Sequence, residues 1–330
     1  MRLSIRIGND PELGPEDFKS LALLAEERGY ETLWMTEGSG GRDALTQLTA
    51  IACATSRINV GPGILPIFGR TPLMTAMSAA GLASVSGGRF ILGLGVGNRH
   101  AVESGHGVPY QRPLARLRET ISIVRRLLRG DEVEHQGRLF GMSGASLGSV
   151  LPETPVPIYI AALGPRMLEL AGEMADGVLL SWTGGGHLEQ SIERVHAGAA
   201  RAGRDPSEID IAGYVRVAAV DDVEAAQPAL RRQIARYARN PYYRNFFRQC
   251  GYGEEMAIAE QSLERGDLDA ASEAISPEMQ RELAVIGAPE ECRAEMEKMR
   301  SRGLQQPVVA PFPVGESVAS HRRAIEALGQ

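Results

Sequence analysis

The sequence predicts a single α/β domain in which parallel strands close into a (β/α)8 barrel. Two observations lead to this prediction: short apolar segments alternate with amphipathic helical segments, and the alternation continues through eight predicted strands. The main alternative is an open doubly wound sheet, which usually has about five or six strands. No G-x-G-x-x-G motif follows the first predicted strand, so the sequence does not favour that alternative.

The first two strand–helix pairs are defined by apolar spacing and by residues that begin or end a helix. The first strand is Leu3–Ile7, and the helix Pro15–Arg28 carries apolar residues at spacings of three and four before a glycine ends it. The second strand is Thr32–Met35. Asp43 then caps a helix that extends to about Thr55.

The next two pairs follow the same rules. The third strand, Ile58–Gly61, precedes the helix Pro72–Ser86, which begins with a proline and ends at a Gly-Gly pair. The fourth strand is Phe90–Leu94. The helix Pro113–Arg129 has the clearest pattern, because leucine, isoleucine and valine form one apolar stripe and arginines occupy the other faces.

The second half of the chain begins with a Gly- and Pro-rich loop and then resumes the alternation. The region from about Val223 to Gly287 is too long for one crossover helix, so we expect a mostly helical insertion there, between strands seven and eight. The remaining predicted strands are Val156–Ala161, Val178–Ser181, one within Ile209–Val220, and Pro307–Ala310, and the helices are Arg166–Met174, His187–Ala202 and Glu316–Leu328.

Composition and charge exclude several classes of protein. The chain has 330 residues, of which 43% are hydrophobic and 23% charged, as in ordinary globular proteins. A net charge of -6 gives no general attraction to nucleic acid or anionic lipid, and no apolar run is long enough to span a membrane. The three cysteines are scattered and no signal-peptide pattern is present, so we expect a cytoplasmic protein. The six histidines have no paired spacing, so no metal site is predicted.

In a barrel of this kind the active site lies at the carboxyl ends of the strands, and two glycine-rich segments fall there. After the third strand, Gly61 and Gly63 would let a flat ring approach the main chain; the alternative is a tight connection before a helix. After the fourth strand, the segment that contains Gly95 and Asn98 is weakly similar to a phosphate-binding loop. Small residues that fit the barrel mouth are the alternative there.

Three further features lie at the same predicted end. The residues Ala162, Leu163 and Gly164 lead into a helix whose free N–H groups would attract an anion, and Arg166 adds a positive charge; the alternative is an ordinary βα turn. Glu37 follows the second strand and is the candidate acid or base. Trp182, which follows the sixth strand, is placed either to stack on a ring or to pack in the core.

Taken together, these segments resemble the bacterial luciferase-like superfamily, and within it the coenzyme F420-dependent methylenetetrahydromethanopterin reductase-like branch. The resemblance covers roughly residues 1 to 220 and, more weakly, the last strand and helix. The stretches that carry it are Ser56–Ile64, Arg70–Pro72 and Ser86–Gly95, supported by Gly41–Asp43, Arg112–Glu119 and Ala175–Val178.

The resemblance implies a barrel that binds a deazaflavin or a flavin at its carboxyl face. It implies a cis peptide bond between Gly63 and Ile64, against the cofactor ring, and phosphate binding by the backbone at Leu163, Gly164 and the following helix start. It also places Ser181, after the sixth strand, in the site.

The sequence departs from the family pattern where a proton donor is expected. Several deazaflavin enzymes of the family have Asp-His after the second strand, whereas this chain has Glu37 followed by glycine. The acidic residue that some members place after the fourth-strand glycines is Asn98 here, and Glu103 is the candidate substitute. The exact reaction therefore stays open.

The leading hypothesis is an oxidoreductase that uses coenzyme F420 to transfer hydride to or from a small organic substrate. The first alternative is a reduced-FMN-dependent monooxygenase of the same superfamily, which would need a separate reductase; the second is a barrel that has lost its cofactor and binds or supports other molecules. We expect a homodimer, with the helix face near Thr46 to Ala54 available for it.

An aromatic cluster in the insertion predicts a lid or wall of the substrate pocket, with simple packing onto the barrel as the alternative. The cluster consists of Tyr242, Tyr243, Phe246 and Phe247.

Overall fold

Parallel strands form the centre of the molecule. The structure is a computed structural model that describes residues 2–8, 10–38, 40–184 and 186–330. In chain order the strands of this part are β1 (Ser4–Ile7), β2 (Thr32–Met35), β3 (Asn59–Pro62), β4 (Leu65–Pro66), β5 (Leu92–Gly95), β6 (Val133–Gln136), β7 (Gly141–Ala145), β8 (Ile158–Ala162), β9 (Gly177–Leu180), β10 (Asp210–Ala219), β11 (Ala284–Gly287) and β12 (Gln306–Pro311).

Helices connect these strands and cover the outside of the sheet. A π-helical turn at Ala101–Gly105 and a 3₁₀ turn at Pro206–Glu208 lie among them. In chain order the α-helices of the described part are α1 (Pro15–Glu27), α2 (Ala44–Ala54), α3 (Pro72–Val85), α4 (Pro113–Leu128), α5 (Pro165–Met174), α6 (His187–Arg201), α7 (Val223–Ala238), α8 (Pro241–Gln249), α9 (Gly253–Glu264), α10 (Leu268–Glu273), α11 (Pro277–Leu283), α12 (Pro289–Ser301) and α13 (Ser317–Leu328).

The main sheet closes into a barrel. Its strands pair in the order β3, β2, β1, β12, β10, β9, β8, β5 and β4, and these pairings are parallel. The two edges meet because Val60 of β3 forms a parallel bridge with Phe90, and the N–H of Ile91 donates to the Val60 carbonyl oxygen at 3.0 Å. The predicted fold class is therefore confirmed.

The strands β3 and β4 are two segments of one barrel strand. β3 pairs with β2 on one side, and β4 pairs with β5 on the other. Between them the peptide bond that joins Gly63 and Ile64 is cis, as the family resemblance implied. Counted this way, the described part of the chain contains eight barrel strands, the predicted number.

Alternation along each strand decides which side chains fill the barrel. In β10, Ala212 and Tyr214 belong to the interior cluster, whereas Ile211 and Val215 pack between the sheet and the helices. The next inward position of this strand, at its carboxyl end, is Arg216. The buried side chains of the interior cluster are Trp34, Ile91, Tyr159, Leu179, Ala212, Tyr214, Val308 and Ala310.

The helices α7 to α11 form the insertion between β10 and β12 and have a hydrophobic core of their own. Ile234, Phe247 and Met279 are buried in that core. Trp182 and Phe312, which follow β9 and β12, belong to the same cluster, so the insertion packs directly on the carboxyl end of the barrel. It therefore covers the end at which the site is predicted.

Two features differ from the sequence-based expectation. The segment predicted as a Gly- and Pro-rich loop contains the antiparallel pair β6 and β7, most of whose residues are exposed or half-buried, so no apolar pattern marks it. The insertion ends in a further strand, β11, which pairs with the last four residues of β10 outside the barrel. Because β11 follows α11 directly, no turn residues mark its start in the sequence.

Candidate active site

Small residues around the third barrel strand make room for other side chains of the barrel. A Cβ atom on Gly63 would lie 1.9 Å from the hydroxyl oxygen of Tyr214, which donates to the Gly63 carbonyl oxygen at 3.2 Å. A Cβ atom on Gly95 would lie 2.7 Å from the side chain of Ile64, and one on Gly61 would lie 2.7 Å from a backbone oxygen of Ile91. These glycines thus serve the barrel's own packing.

Two apolar side chains form the upper surface of the barrel interior. Ile64 and Ala161 pack on the interior cluster but are only partly buried, unlike the fully enclosed residues beneath them. Ile64 lies between β3 and β4, and Ala161 lies near the carboxyl end of β8. They offer a flat apolar floor at the barrel mouth.

Glu37 lies at this mouth, but both of its oxygens are engaged. Its Oε2 accepts the N–H of Ala44 at 2.8 Å, and its Oε1 pairs with Nη1 of Arg70 at 2.5 Å. Arg70 also pairs with Asp43, whose side chain caps α2 by accepting the N–H of Thr46. Through these two contacts, Glu37 connects the start of α2 with the loop that follows β4.

A cavity of about 300 Å³ opens beside this ion-pair cluster. Its walls include Glu37, Arg42, Asp43, Arg70 and His106, so the carboxylates that line it face arginines. The cavity therefore offers both hydrogen-bond donors and acceptors next to the barrel mouth.

Asn98 and Glu103, which follow β5, hold local backbone. The Asn98 side-chain oxygen accepts the N–H groups of His100 and Ala101 at 2.8 and 3.3 Å and so fixes the π-helical turn. Glu103 is exposed and accepts the N–H of Tyr110 at 3.3 Å. Glu103 is not among the described residues that line the cavity, so the two predicted acids do not meet there.

The start of α5 is open. Gly164 is its N-cap in extended conformation, and no side chain caps the helix. A Cβ atom on Gly164 would meet nothing within 4 Å, and Arg166 is exposed beside it. Ala162 points its side chain into the outer core and Leu163 is half-buried, so these two residues offer the site mainly their backbone.

The helix α8 of the insertion reaches over the mouth. The hydroxyl groups of Ser181 and Tyr243 lie 3.1 Å apart and share a hydrogen bond. On the other side, Tyr242 faces Tyr110, whose pKa is raised by burial and then by this neighbour. The helix therefore connects the loop after β9 with the loop after β5.

The predicted aromatic cluster divides between two roles. Phe246 and Phe247 are buried, and the ring of Phe247 packs edge-on against Trp182 at 5.4 Å between centroids. These two side chains attach the insertion to the barrel, as the packing alternative held. Tyr243 is the member of the cluster that contacts Ser181 at the mouth. The remaining member, Tyr242, is 49% exposed.

Sequence reasoning missed a buried arginine at the centre of the mouth. Arg216 is 1% exposed, and its Cζ lies 4.3 Å from the ring centroid of Trp182. Its Nη2 donates to the hydroxyl oxygen of Tyr237 at 3.1 Å. The sequence did contain a signal for this residue. Arg216 stands between two valines in an apolar strand, at one of the alternate positions whose side chains face inward.

Electrostatics around Arg216 are unusual. Burial lowers the pKa of Arg216 below its ordinary value. The pKa of Tyr237 is raised by burial, but the charges of Arg216 and Arg6 and the Arg216 hydrogen bond outweigh this, so it lies below its ordinary value. Two cations and two phenols, Tyr237 and Tyr243, thus act on one another in a space with little water.

Comparison with known proteins gives the family. The sequence profile of the luciferase-like monooxygenase family matches residues 3–306. The chain belongs to this family. The resemblance drawn from the third- and fourth-strand motifs is thereby confirmed, and members of this family share the barrel described above.

Similar proteins point to one branch of the family. A 5,10-methylenetetrahydromethanopterin reductase of Methanolobus tindarius is 32% identical over 94% of this chain and 93% of its own. The structure of the coenzyme F420-dependent tetrahydromethanopterin reductase of Methanopyrus kandleri matches with a TM-score of 0.86 at 28% identity, over 100% of this chain and 98% of that one. An F420-dependent secondary alcohol dehydrogenase shares the fold with a TM-score of 0.77 at 20% identity, over 100% of this chain and 99% of its own.

Two features are absent from the described part of the chain. In residues 2–8, 10–38, 40–184 and 186–330, no three His, Cys, Asp or Glu side chains gather as metal ligands would. Within the same ranges, no helix has the length and apolar character that crossing a membrane requires.

Proposed function

We propose that this protein is a coenzyme F420-dependent oxidoreductase that transfers hydride to or from a small organic substrate. The observation that carries the proposal is an open helix start beside an apolar floor, in a barrel that superposes over its whole length on an F420-dependent reductase. When bound, F420 supplies the carbon that donates or accepts hydride. The protein supplies position and a dry site.

The residues present fit such a cofactor. The partly exposed side chains of Ile64 and Ala161 suit a flat conjugated ring, and the uncapped start of α5 at Gly164 suits a phosphate, because its N–H groups carry partial positive charge. Arg166 is exposed at the same helix start. Ser181 and Tyr243 close the side of the mouth under α8 and exclude water from the ring.

Cofactor choice is tested by direct binding. We expect the fluorescence of F420 to change on titration with the protein, and F420 to raise the melting temperature more than FMN or NADPH does. A ligand at about 100 times its dissociation constant adds about 2.7 kcal/mol to folding stability, which is easily measured. Stabilisation by FMN alone would favour the alternative of a reduced-FMN-dependent monooxygenase, which the family's description keeps open. Stabilisation by none of the three would favour a barrel without a cofactor.

The phosphate site is tested by charge at a helix start. Gly164→Asp places a negative charge at the N-cap of α5, where open space receives the new side chain. We expect F420 affinity to fall at least about tenfold while the protein stays folded. Gly186→Asp is the matched control, since Gly186 is the exposed N-cap of the next helix, α6. Loss of affinity in Gly186→Asp alone would place the phosphate at α6.

Glu37 is our candidate acid or base, because it lies at the mouth and borders the cavity. Glu37→Gln should lower turnover by about 10²- to 10⁴-fold, leave F420 affinity within a few fold and remove one limb of the pH profile. Asp43→Asn is the control, since Asp43 pairs with the same Arg70 and asparagine is also a good N-cap. Equal losses in both variants would mean that the Arg70 cluster acts structurally, and the proton would then come from Glu103, from a histidine such as His100, or from water.

Compartment and partners complete the proposal. The described cysteines are all free, which agrees with a reducing cytoplasm. We propose a homodimer through the outer face of α2, where Thr46, Ala50 and Cys53 are exposed, and a separate reductase or dehydrogenase that exchanges reduced cofactor with this protein. Light scattering of wild type and Ala50→Glu tests the dimer: wild type at monomer mass would contradict it.

A further inference from the structure

Arg216 is a buried cation for which the described part of the chain provides no carboxylate. It is 1% exposed, and its Nε and Nη1 are buried without a hydrogen-bond partner. In the described part of the chain, the acceptor of its hydrogen bond is the phenol of Tyr237, not a carboxylate. Burying a charge in this way destabilises the protein unless a counter-charge arrives.

A second arginine lies at the same height of the barrel. The register pairs Arg216 with Ala310 of β12, and pairs Ser4 and Ile5 of β1 with Val308 and Val309, which brings Arg6 level with Ala310. The two arginines therefore flank a strand whose side chain is a single methyl group. Two strand spacings separate their Cα atoms by about 10 Å, a gap that two long guanidinium side chains span.

Both guanidinium groups lie beside the same aromatic ring. Their Cζ atoms lie 6.0 and 5.7 Å from the centroid of the Tyr214 ring, for Arg6 and Arg216 respectively. Arg6 donates through Nε to the hydroxyl of Thr36 at 2.9 Å, and it has no ion pair among the described residues. Two acids at this end, Glu37 and Asp43, are paired with Arg70 and not with Arg6 or Arg216.

We propose that Arg216 and Arg6 form a binding site for an acidic group of the substrate, a carboxylate. This inference rests on the proposed function for the role of the ligand as substrate. The planar fork of each guanidinium matches a carboxylate, and the ring of Tyr214 forms the floor beneath it. Tyr237 and Tyr243, carried by α7 and α8, cover the site, so the acid enters under the insertion.

The site is distinct from the proposed phosphate site. In the strand order β1 lies four steps from β8, which leads to α5, so the two strands face each other across an eight-strand barrel. β10 and β12 lie two and three steps from β8. An anion held between β1 and β10 is therefore on the substrate side of a ring whose phosphate binds at α5.

Direct binding of small acids tests the inference without turnover. The probes are acetate, benzoate and 3-phenylpropionate, each compared with its neutral amide at equal ionic strength, by calorimetry and melting temperature, with and without F420. We expect at least one acid to bind wild type and its amide not to. Arg216→Met and Arg6→Met should each weaken that acid roughly 10- to 100-fold and leave F420 affinity within a few fold. Arg216→Lys should recover part of the loss, since it restores charge without the fork.

The control is Arg194→Met, which removes the same charge from the exposed face of α6 and should change nothing. Circular dichroism should show every variant folded, because replacing an unpaired buried charge with an apolar side chain is often neutral or stabilising. The inference is overturned if no acid binds better than its amide, if Arg216→Met binds the acid as wild type does, or if both arginine variants lose F420 instead. Absence of F420 binding together with arginine-dependent acid binding would refute the proposed cofactor and leave the anion site standing.

Discussion

Both ends of the barrel contain ion pairs, but the carboxyl end, where Arg70 pairs with Glu37 and Asp43, also buries an arginine that has none among the described residues. At the amino end, charged side chains find partners: Arg2 binds Glu31 and Asp210, and Arg125 binds Asp176. At the carboxyl end, Arg216 is buried without an ion pair among the described residues. Removing one partner of a buried ion pair is costly, whereas a buried charge without a partner is a candidate for a functional role.

The amino end also uses charge to hold backbone. Arg89 donates to the carbonyl oxygens of Ala52, Thr55 and Ile58 at 2.6 to 3.0 Å. Asp176, as its place between α5 and β9 suggests, accepts the N–H of Ile158 at 2.7 Å. Changes to polar groups at this end are expected to alter stability, and changes to polar groups at the mouth to alter binding, whereas changes to close packing should alter stability at either end. Four predictions test that division.

The largest effect is expected where the mouth is packed most tightly. A Cβ atom in Gly63→Ala would overlap the Tyr214 hydroxyl oxygen, so we expect a loss of about 3 kcal/mol in unfolding free energy. Tyr214→Phe alone should cost about 1 kcal/mol, the worth of its hydrogen bond to Gly63. In the double variant the nearest atom is the ring carbon at 3.3 Å, so the cost should be less than the sum of the two. Urea unfolding measures all three, and strict additivity would contradict the packing explanation.

A smaller effect, on stability alone, is expected at the amino end. Asp210 accepts the hydroxyl of buried Tyr159 at 2.7 Å and pairs with Arg2 at 3.1 Å. Asp210→Ala leaves that hydroxyl without an acceptor and should cost about 1 to 3 kcal/mol, seen as a lower melting temperature. F420 affinity and KM should be unchanged. Adding Tyr159→Phe should recover part of the loss, and a tenfold change in KM would break the division between the two ends.

A polar group on helix α8 should give the reverse result, an effect on substrate binding without an effect on stability. Tyr243→Phe removes the hydrogen bond to Ser181 at the mouth, and we expect KM for substrate to rise a few fold, F420 affinity to hold and the melting temperature to change little. Phe247→Ala empties a fully buried position in the insertion core and should cost about 3 kcal/mol or more. If Tyr243→Phe lowers stability and leaves KM unaltered, the whole aromatic cluster is only packing.

Periodicity predicted most of the barrel because each of its elements hides one face. The helix predicted at Pro113–Arg129 is found at Pro113–Leu128, with Leu117, Ile121 and Val124 buried as its apolar stripe requires. The hairpin β6 and β7 was missed because it buries almost nothing, and a strand that is mostly exposed leaves no apolar pattern.

For the candidate site residues, the sequence predicted the end of the barrel at which they lie but not their side-chain partners. Position after the strands placed Glu37 and Gly164 at the carboxyl end of the barrel, and the family resemblance placed Ser181 there; the structure has all three at that end. The motifs could not reveal that Glu37 pairs with Arg70, because 33 residues separate the two and the pairing depends on the loop after β4. Arg216 was missed because motif reasoning examined the loops after strands, whereas this residue lies within β10 and only inward alternation identifies it.

The smallest expected effect concerns pH at the amino end. Glu26 accepts the N–H groups of Ser56, Arg57 and Ile58 at 2.6 to 2.9 Å. Burial raises its pKa, but these hydrogen bonds to the ionised form outweigh burial, so its pKa in the folded protein lies below its ordinary value. The folded state therefore gains stability from ionised Glu26 at pH values above the ordinary glutamate pKa of about 4.3, and this gain is lost as the pH falls through the lower pKa of the folded state.

Glu26→Gln should accordingly cost about 1 kcal/mol at pH 7, because the amide keeps an acceptor but loses the charge. The difference from wild type should shrink as the pH falls through the folded pKa, because wild-type Glu26 itself becomes neutral there. Glu27→Gln, at the exposed next position of α1, is the matched control and should differ little from wild type over the same pH range. Urea unfolding at several pH values measures this. A difference that is constant over that range would mean that Glu26 stabilises the loop before β3 by shape and not by charge, which would weaken the contrast between the two ends of the barrel.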